Sequence, residues 1–205
     1  LRDLPGITVE GLTTHMANGD EPDDSFAETQ HAAFREAAQR LPWIPYLHTA
    51  NSATALRRSE LHYSGVRIGL AIHGILPPNT GGPALRPILS LRARIARIVD
   101  VAPGEGASYG LTWRASQPAS LALIPVGYAD GWRRGLGNAG HVLIAGQPCP
   151  MAGRVCMDQF LADVTAVSPA PAEGDVATLL GSDGPASISA AEVAARADTI
   201  AWDII

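Results

Sequence analysis

Residues 76–87 read LPPNTGGPALRP. Proline has no backbone N–H and glycine has almost no conformational restraint, so neither a helix nor a strand continues through such a run. The stretch therefore divides the chain, and the patterns on its two sides differ in kind. Upstream, three short apolar runs alternate with helical segments: ITVEGLTT (7–14), WIPYLHT (43–49) and GVRIGL (65–70). Between the first two, the sequence predicts a helix from about Asp24 to Arg40, with Ser25 and Glu28 at capping-box spacing and Phe26, Ala33, Phe34, Ala37, Ala38 and Leu41 on its inner face. A second helix opens near Ser52, and a short helical turn follows the third run. Strand and helix alternating at this pace predict parallel strands with right-handed crossovers. Three units are too few to close an eight-stranded barrel, so they read as its last part or as part of an open sheet. Downstream, ILSLRARIARIV (88–99) alternates as a half-exposed strand does. SLALIPV, HVLIAG, CPMAGRVCM, FLADV and VATLLG follow as short strands separated by turn residues. That predicts an antiparallel, barrel-like β domain. A helix in SISAAEVAARA ends it, with Ser189 and Glu192 as capping box. The expected division is residues 1–80, α/β, and residues 85–205, all-β.

Composition narrows the function classes. The chain has 205 residues, 46% hydrophobic and only 17% charged, enough to bury a sizeable core. Its net charge of −5 and scattered arginines offer no surface for nucleic acid. Its apolar runs stop well short of the ~20 residues that cross a bilayer, and no signal peptide opens it, so the cytoplasm is expected. Cys149 and Cys156 have no His/Cys partners at metal-site spacing, so no metal is expected and buried thiols are favoured over a disulfide. All fifteen basic side chains are arginine, and none is lysine. Leu1 leads almost directly into a strand pattern and TIAWDII ends without a helix stop, which together predict a piece of a longer chain.

In an α/β layout, chemistry gathers at the carboxyl ends of the strands. His15 follows the first strand, Asn51 and Ser52 the second, and Arg67 and Gly69 end the third. A hydroxyl and a glycine at neighbouring helix starts make a phosphate seat. Taken singly, Ser52 reads equally as an N-cap, Gly69 as a turn residue and His15 as a core histidine. Arg67 inside an apolar strand demands an acceptor. The β domain adds Tyr109 in ASYGLTW, Tyr128 in GYADG, and the run GRVCMDQ (153–159).

As a set and in this order, TTHMANGD, LHTANSATAL, GVRIG, ASYGLTW, IPVGYADGW and GRVCMDQ resemble the alanine racemase family over nearly the whole chain. The resemblance implies the last strands of a pyridoxal-phosphate-binding TIM-type (β/α)8 barrel followed by a C-terminal antiparallel β domain, working as a homodimer. It implies interconversion of L- and D-alanine for peptidoglycan, with pyridoxal 5'-phosphate held by a lysine outside these residues, so the segment alone is expected to be inactive. Ser52, Gly69 and Leu70 would hold the cofactor phosphate, and Arg67 would face the pyridine nitrogen. Tyr109 would be one of two opposed bases, acting in the partner subunit's site, with His15 linked to Arg67 behind it. A free phenol titrates near ~10, so it needs such support to act at neutral pH. Met157 would bind the substrate carboxylate through its N–H. Asp20, Tyr128, Arg134 and Arg154 would line the access corridor. His73 stands where the family usually has tyrosine. A serine or broad-specificity racemase of the same fold, or a non-catalytic relative binding pyridoxal phosphate or another phosphate ligand, remain alternatives.

Overall fold

The computed structural model describes residues 1–205 and divides into two compact units, Leu1–Ile88 and Leu89–Ile205. No helix is long and apolar enough to cross a membrane.

The first unit is built on two parallel strands, β1 (Gly11–Thr13) and β2 (Tyr46–His48), with helix α1 (Phe26–Arg40) in the connection between them. Pro45, which has no N–H to give a ladder, immediately precedes β2. Helix α1 buries Ala27 and Phe34, seven residues apart and therefore two turns along one face. Phe26, 54% exposed, and Ala33 lie outside that face, whereas Phe34, Ala37, Ala38 and Leu41 are buried or half-buried, so the expected face holds over the second half of the helix. The expected capping box does not form. Ser25 already has helical dihedrals and makes no side-chain cap. Its N–H donates instead to Asp23 Oδ1 at 2.9 Å, and the Glu28 carboxylate pairs with Arg58. Helix α2 (Ser52–Arg57) is capped by Asn51, whose Oδ1 accepts from the Thr54 N–H at 2.9 Å. Ser52 is therefore not the N-cap, which leaves its hydroxyl for other work.

The predicted third strand is not a strand. The chain at 64–67 bonds to Leu47 O of β2 from the Ser64 N–H (2.9 Å) and to Ala50 O, beyond the end of β2, from the Arg67 N–H (2.9 Å). A ladder repeats every second residue, and bonds three apart do not build one. The helical turn after it is present, as a 3₁₀ turn over Leu70–His73.

The second unit is antiparallel. Ten strands follow in order: β3 (Leu91–Arg94), β4 (Arg97–Val101), β5 (Gly106–Ala107), β6 (Trp113–Arg114), β7 (Ala119–Ile124), β8 (His141–Ile144), β9 (Gln147–Pro150), β10 (Phe160–Asp163), β11 (Val176–Asp183) and β12 (Ala186–Ile188). One sheet has the order β10-β7-β4 and another β12-β11-β8-β9, with β3 also paired to β11, and β5 pairs with β6 alone. The run 88–99 is thus two strands in two sheets. The chain turns at Ile95, buried, whose N–H goes to Asp175 O while that of Ala96 goes to Leu123 O. The strand expected over CPMAGRVCM ends at Pro150, and GRVCMDQ is loop throughout, up to the start of β10 at Phe160. Strands β8 and β11 carry consecutive buried residues, Val142–Ile144 and Ala177–Leu180, so both faces of each are covered. Burying a side chain such as Leu179 fully contributes roughly 1.5–3 kcal/mol. Helix α3 (Ala190–Arg196) has half of its expected capping box. Ser189 Oγ accepts from the Glu192 N–H at 3.1 Å, but the Glu192 carboxylate turns to Arg196 at 3.2 Å.

Both cysteines are free thiols. Burial pushes the Cys149 thiol up to about 11, whereas Cys156 is half-exposed beside Tyr109 and Tyr128. Because thiolate is the reactive form, an aromatic disulfide reagent at pH 8 is expected to label Cys156 and to spare Cys149 until the protein unfolds. Equal labelling rates, read by peptide mass, would contradict the packing of β9.

Candidate active site

Two groups of candidate residues form, one in each unit. In the first, Arg67 leaves the segment beside β2 and reaches the carboxyl ends of β1 and β2. Its Nη2 donates to His15 Nδ1 at 2.9 Å, its Nη1 to His48 Nδ1 at 2.8 Å and to Thr13 Oγ1 at 3.2 Å. This answers the demand of an arginine in an apolar run for acceptors, and none of the three is a carboxylate. A guanidinium has no lone pair to offer, so each imidazole must present its Nδ1 as acceptor and carry its proton on Nε2 when neutral. His15 is exposed, and its Nε2–H is left to act outward. His48 and Thr13 were not foreseen. His48 sits between Leu47 and Thr49 and reads as strand interior, and the signal that marks it is its place at the last residue of β2.

Beside this network, Ser52 is buried with only 6% exposure. Its Oγ accepts from the Gly69 N–H at 3.0 Å and the Ala71 N–H at 3.5 Å, and its own proton remains to donate. A Cβ built on Gly69 would meet nothing within 4 Å, so open space lies before this seat. Leu70 opens the 3₁₀ turn, and its N–H therefore has no partner inside it. Asp20 lies in the loop that follows His15. Its carbonyl accepts from Asn79 Nδ2 at 3.0 Å, and Arg57 holds the loop through Gly19 O and Glu21 O. His73, half-buried, ends the turn.

In the second unit, Tyr109, Tyr128 and Met157 share an open cleft of about 580 Å³ with Cys156 and Asp158. The cleft arises because the GYADG loop is clasped to GRVCMDQ. Tyr128 N–H donates to Cys156 O at 3.0 Å and Ala129 N–H to Met157 O at 2.9 Å. The clasp needs Gly127, whose Cβ would lie 2.3 Å from Met157 O and 2.4 Å from Cys156 O. The Met157 N–H is left without a partner in the chain. Tyr109 is 71% exposed at the start of the 3₁₀ turn Tyr109–Leu111. The Arg154 guanidinium lies against Gly110 of that turn, whereas Arg134 stands on a separate turn, Arg134–Leu136, and lines no part of the cleft.

Both halves of the chain match family models: residues 1–77 the alanine racemase N-terminal domain and residues 88–205 the alanine racemase C-terminal domain. An alanine racemase of Nostoc sp. is 39% identical over 98% of this chain and 54% of its own length. The crystal structure of alanine racemase from Bacillus anthracis, with bound L-Ala-P, superimposes with a TM-score of 0.86 at 37% identity, over 95% of this chain and 52% of that one. Alanine racemase from Bartonella henselae, with covalently bound pyridoxal phosphate, superimposes with a TM-score of 0.84 at 29% identity, over 95% and 53%. The chain thus spans about half the length of these relatives, and its α/β unit is part of the barrel domain. With both domain models matched in order and the fold reproduced, this chain belongs to the alanine racemase family.

Proposed function

We propose that these residues supply the cofactor seat and one of the two proton-transferring groups of a pyridoxal-phosphate-dependent racemase interconverting L- and D-alanine. The observation that carries the reading is the Arg67 network, a guanidinium bonded to two imidazoles and a hydroxyl with no carboxylate, beside the Ser52–Gly69 contact. An un-neutralised cation next to a hydroxyl with its proton still to give and the unpaired Leu70 N–H favours a phosphorylated, planar ligand. Bound there, pyridoxal phosphate supplies the electron withdrawal that makes a substrate α-hydrogen acidic. The 205 residues contain no lysine, so the group that carries the cofactor and serves as the opposite base comes from outside them.

The chain's own residues divide the remaining work. Ser52, Gly69 and Leu70 hold the phosphate. Arg67 donates toward the ring nitrogen and keeps its own proton, which leaves that nitrogen unprotonated and the electron withdrawal mild. Mild withdrawal suits return of the proton over competing reactions. Tyr109 removes or returns the α-hydrogen on one face, in the partner subunit's site of a homodimer. His15, fixed by Arg67, turns its Nε2–H outward to stabilise the phenolate. The unpaired Met157 N–H takes the substrate carboxylate, and Asp20, Tyr128 and Arg154 line the way in, with Arg134 on its own turn outside the cleft. In this reading the cofactor seat falls in the barrel part, residues 1–80, and the base in the β domain, residues 85–205.

The test uses the holoenzyme that contains these residues. It should interconvert L- and D-alanine, and Ser52→Ala should weaken pyridoxal phosphate about tenfold or more, the worth of a hydrogen bond to a charged group. Unchanged cofactor affinity, measured by absorbance titration, would remove Ser52 from the phosphate seat. Absence of alanine racemisation with serine turned over instead would replace the substrate and keep the site.

A further inference from the structure

The turn that presents Tyr109 has a backbone that its own sequence does not favour. Ser108 lies at φ 63° and ψ 176°, a region that side chains other than glycine's seldom occupy, and Leu111 has φ 47°. Such a conformation persists only where the surroundings impose it. Two side chains do so, one at each end of the turn. Before Tyr109, Ser108 Oγ donates to Arg154 O at 2.7 Å. After it, Asn138 Nδ2 donates to Thr112 Oγ1 at 3.1 Å, while Asn138 Oδ1 accepts from the Gly153 N–H at 2.6 Å. Both ties end on residues 153 and 154, just before the Cys156–Met157 loop. Gly153 permits the close approach, since a Cβ there would sit 2.7 Å from Ser108 Cβ.

We propose that Ser108 and Asn138 are positioning residues for Tyr109: together they fix the turn that carries the phenol to the segment that carries the Met157 N–H. The inference rests on the reading of Tyr109 as a proton-transferring group. At 71% exposure the Tyr109 ring has little packing of its own to set its direction. Its aim is then set by the anchoring of three residues of backbone. Proton transfer needs the phenol oxygen and the substrate carboxylate held in register, and an error of about 1 Å costs on the order of 10²-fold in rate.

Ser108→Gly and Asn138→Gly, made in the holoenzyme that contains these residues, test this. Asn138 has φ 59°, so glycine suits both backbones and each variant removes its side-chain bonds without adding strain. Exchange of the L-alanine α-hydrogen with D2O is expected to slow by about tenfold or more in each variant, with D-alanine exchange within about twofold of the parent. Asn138→Asp keeps the acceptor for Gly153 and should recover part of the loss. A readout independent of turnover is amide hydrogen exchange at Gly153, expected to speed up in Asn138→Gly. Should Asn138→Gly fail to fold, Ser108→Ala, which deletes only the hydroxyl, makes the same test. Equal slowing for both enantiomers, or L-alanine exchange at the parent rate, overturns the proposal. A Tyr109→Phe variant run alongside separates the two readings. If it has no directional effect the base assignment has failed. If it does while the glycine variants behave like the parent, only the positioning role has failed.

Discussion

Tyr109→Phe in the holoenzyme that contains these residues is expected to slow alanine racemisation by roughly 10²–10⁴-fold, the usual contribution of a positioned acid–base group. The fold should hardly notice, because an exposed aromatic ring that loses one oxygen changes stability by less than about 0.5 kcal/mol. Steady-state rates alone cannot test the assignment of Tyr109 to one face. The two enantiomers have equal free energy, so kcat/KM in the two directions must fall by the same factor whichever base is removed. The direction appears only in exchange. Without the phenol, the α-hydrogen of L-alanine should no longer enter D2O, while that of D-alanine, taken by the opposite base, should still exchange. Equal and mild losses for both enantiomers would sink the two-base assignment. The same loss with a thermal midpoint lowered by many degrees would instead assign Tyr109 to structure.

That prediction depends on residues which the sequence exposes to very different degrees. That 76–87 holds neither helix nor strand was legible because proline and glycine act locally, and the strands β7, β8, β10 and β11 because their apolar residues sit between turn residues. The segment 65–68 misleads because Val66 and Ile68 alternate as strand residues do, yet both are partly exposed and the backbone bonds only at Ser64 and Arg67. The change of sheet at Ile95 carries a signal that is easily passed over. Apolar residues fall at Leu89, Leu91, Ala93 and Ile95, then shift phase to Ile98, and the shift marks where the chain leaves one sheet for another. At the site, Arg67 announces itself because a cation in an apolar run needs partners. The identity of those partners does not, since His15 and His48 reach it only once two parallel strands are aligned. Ser108 and Asn138 were invisible for a different reason. Positive φ at a residue other than glycine is imposed by tertiary contacts, and here the contacts come from a loop far along the chain.

Gly127→Ala is expected to destabilise the β unit by about 3 kcal/mol or more, from overpacking together with two lost backbone hydrogen bonds. The backbone at Gly127 is extended, φ −142°, so alanine carries no conformational penalty there. The cost is steric. The added Cβ would lie 2.3 Å from Met157 O, 2.4 Å from Asp158 N and 2.4 Å from Cys156 O, and all three are backbone atoms that no rotamer change removes. Relief requires the two loops to part, which lengthens Tyr128 N–H to Cys156 O and Ala129 N–H to Met157 O. Gly131→Ala is the control. It stands four residues on with φ 92° and nothing within 4 Å of its Cβ, so it should lose only the roughly 1–2 kcal/mol of a left-handed backbone. Urea unfolding followed by tryptophan fluorescence can read both, since Trp132 is buried next to the clasp and stacks on Phe160. A Gly127→Ala cost below that of Gly131→Ala would mean that the loops approach less closely than their hydrogen bonds require. If the order holds, the Gly127→Ala protein should also bind substrate carboxylate more weakly, because the same parting of the loops displaces the Met157 N–H. Stability and KM would then change together at a residue that contacts no substrate.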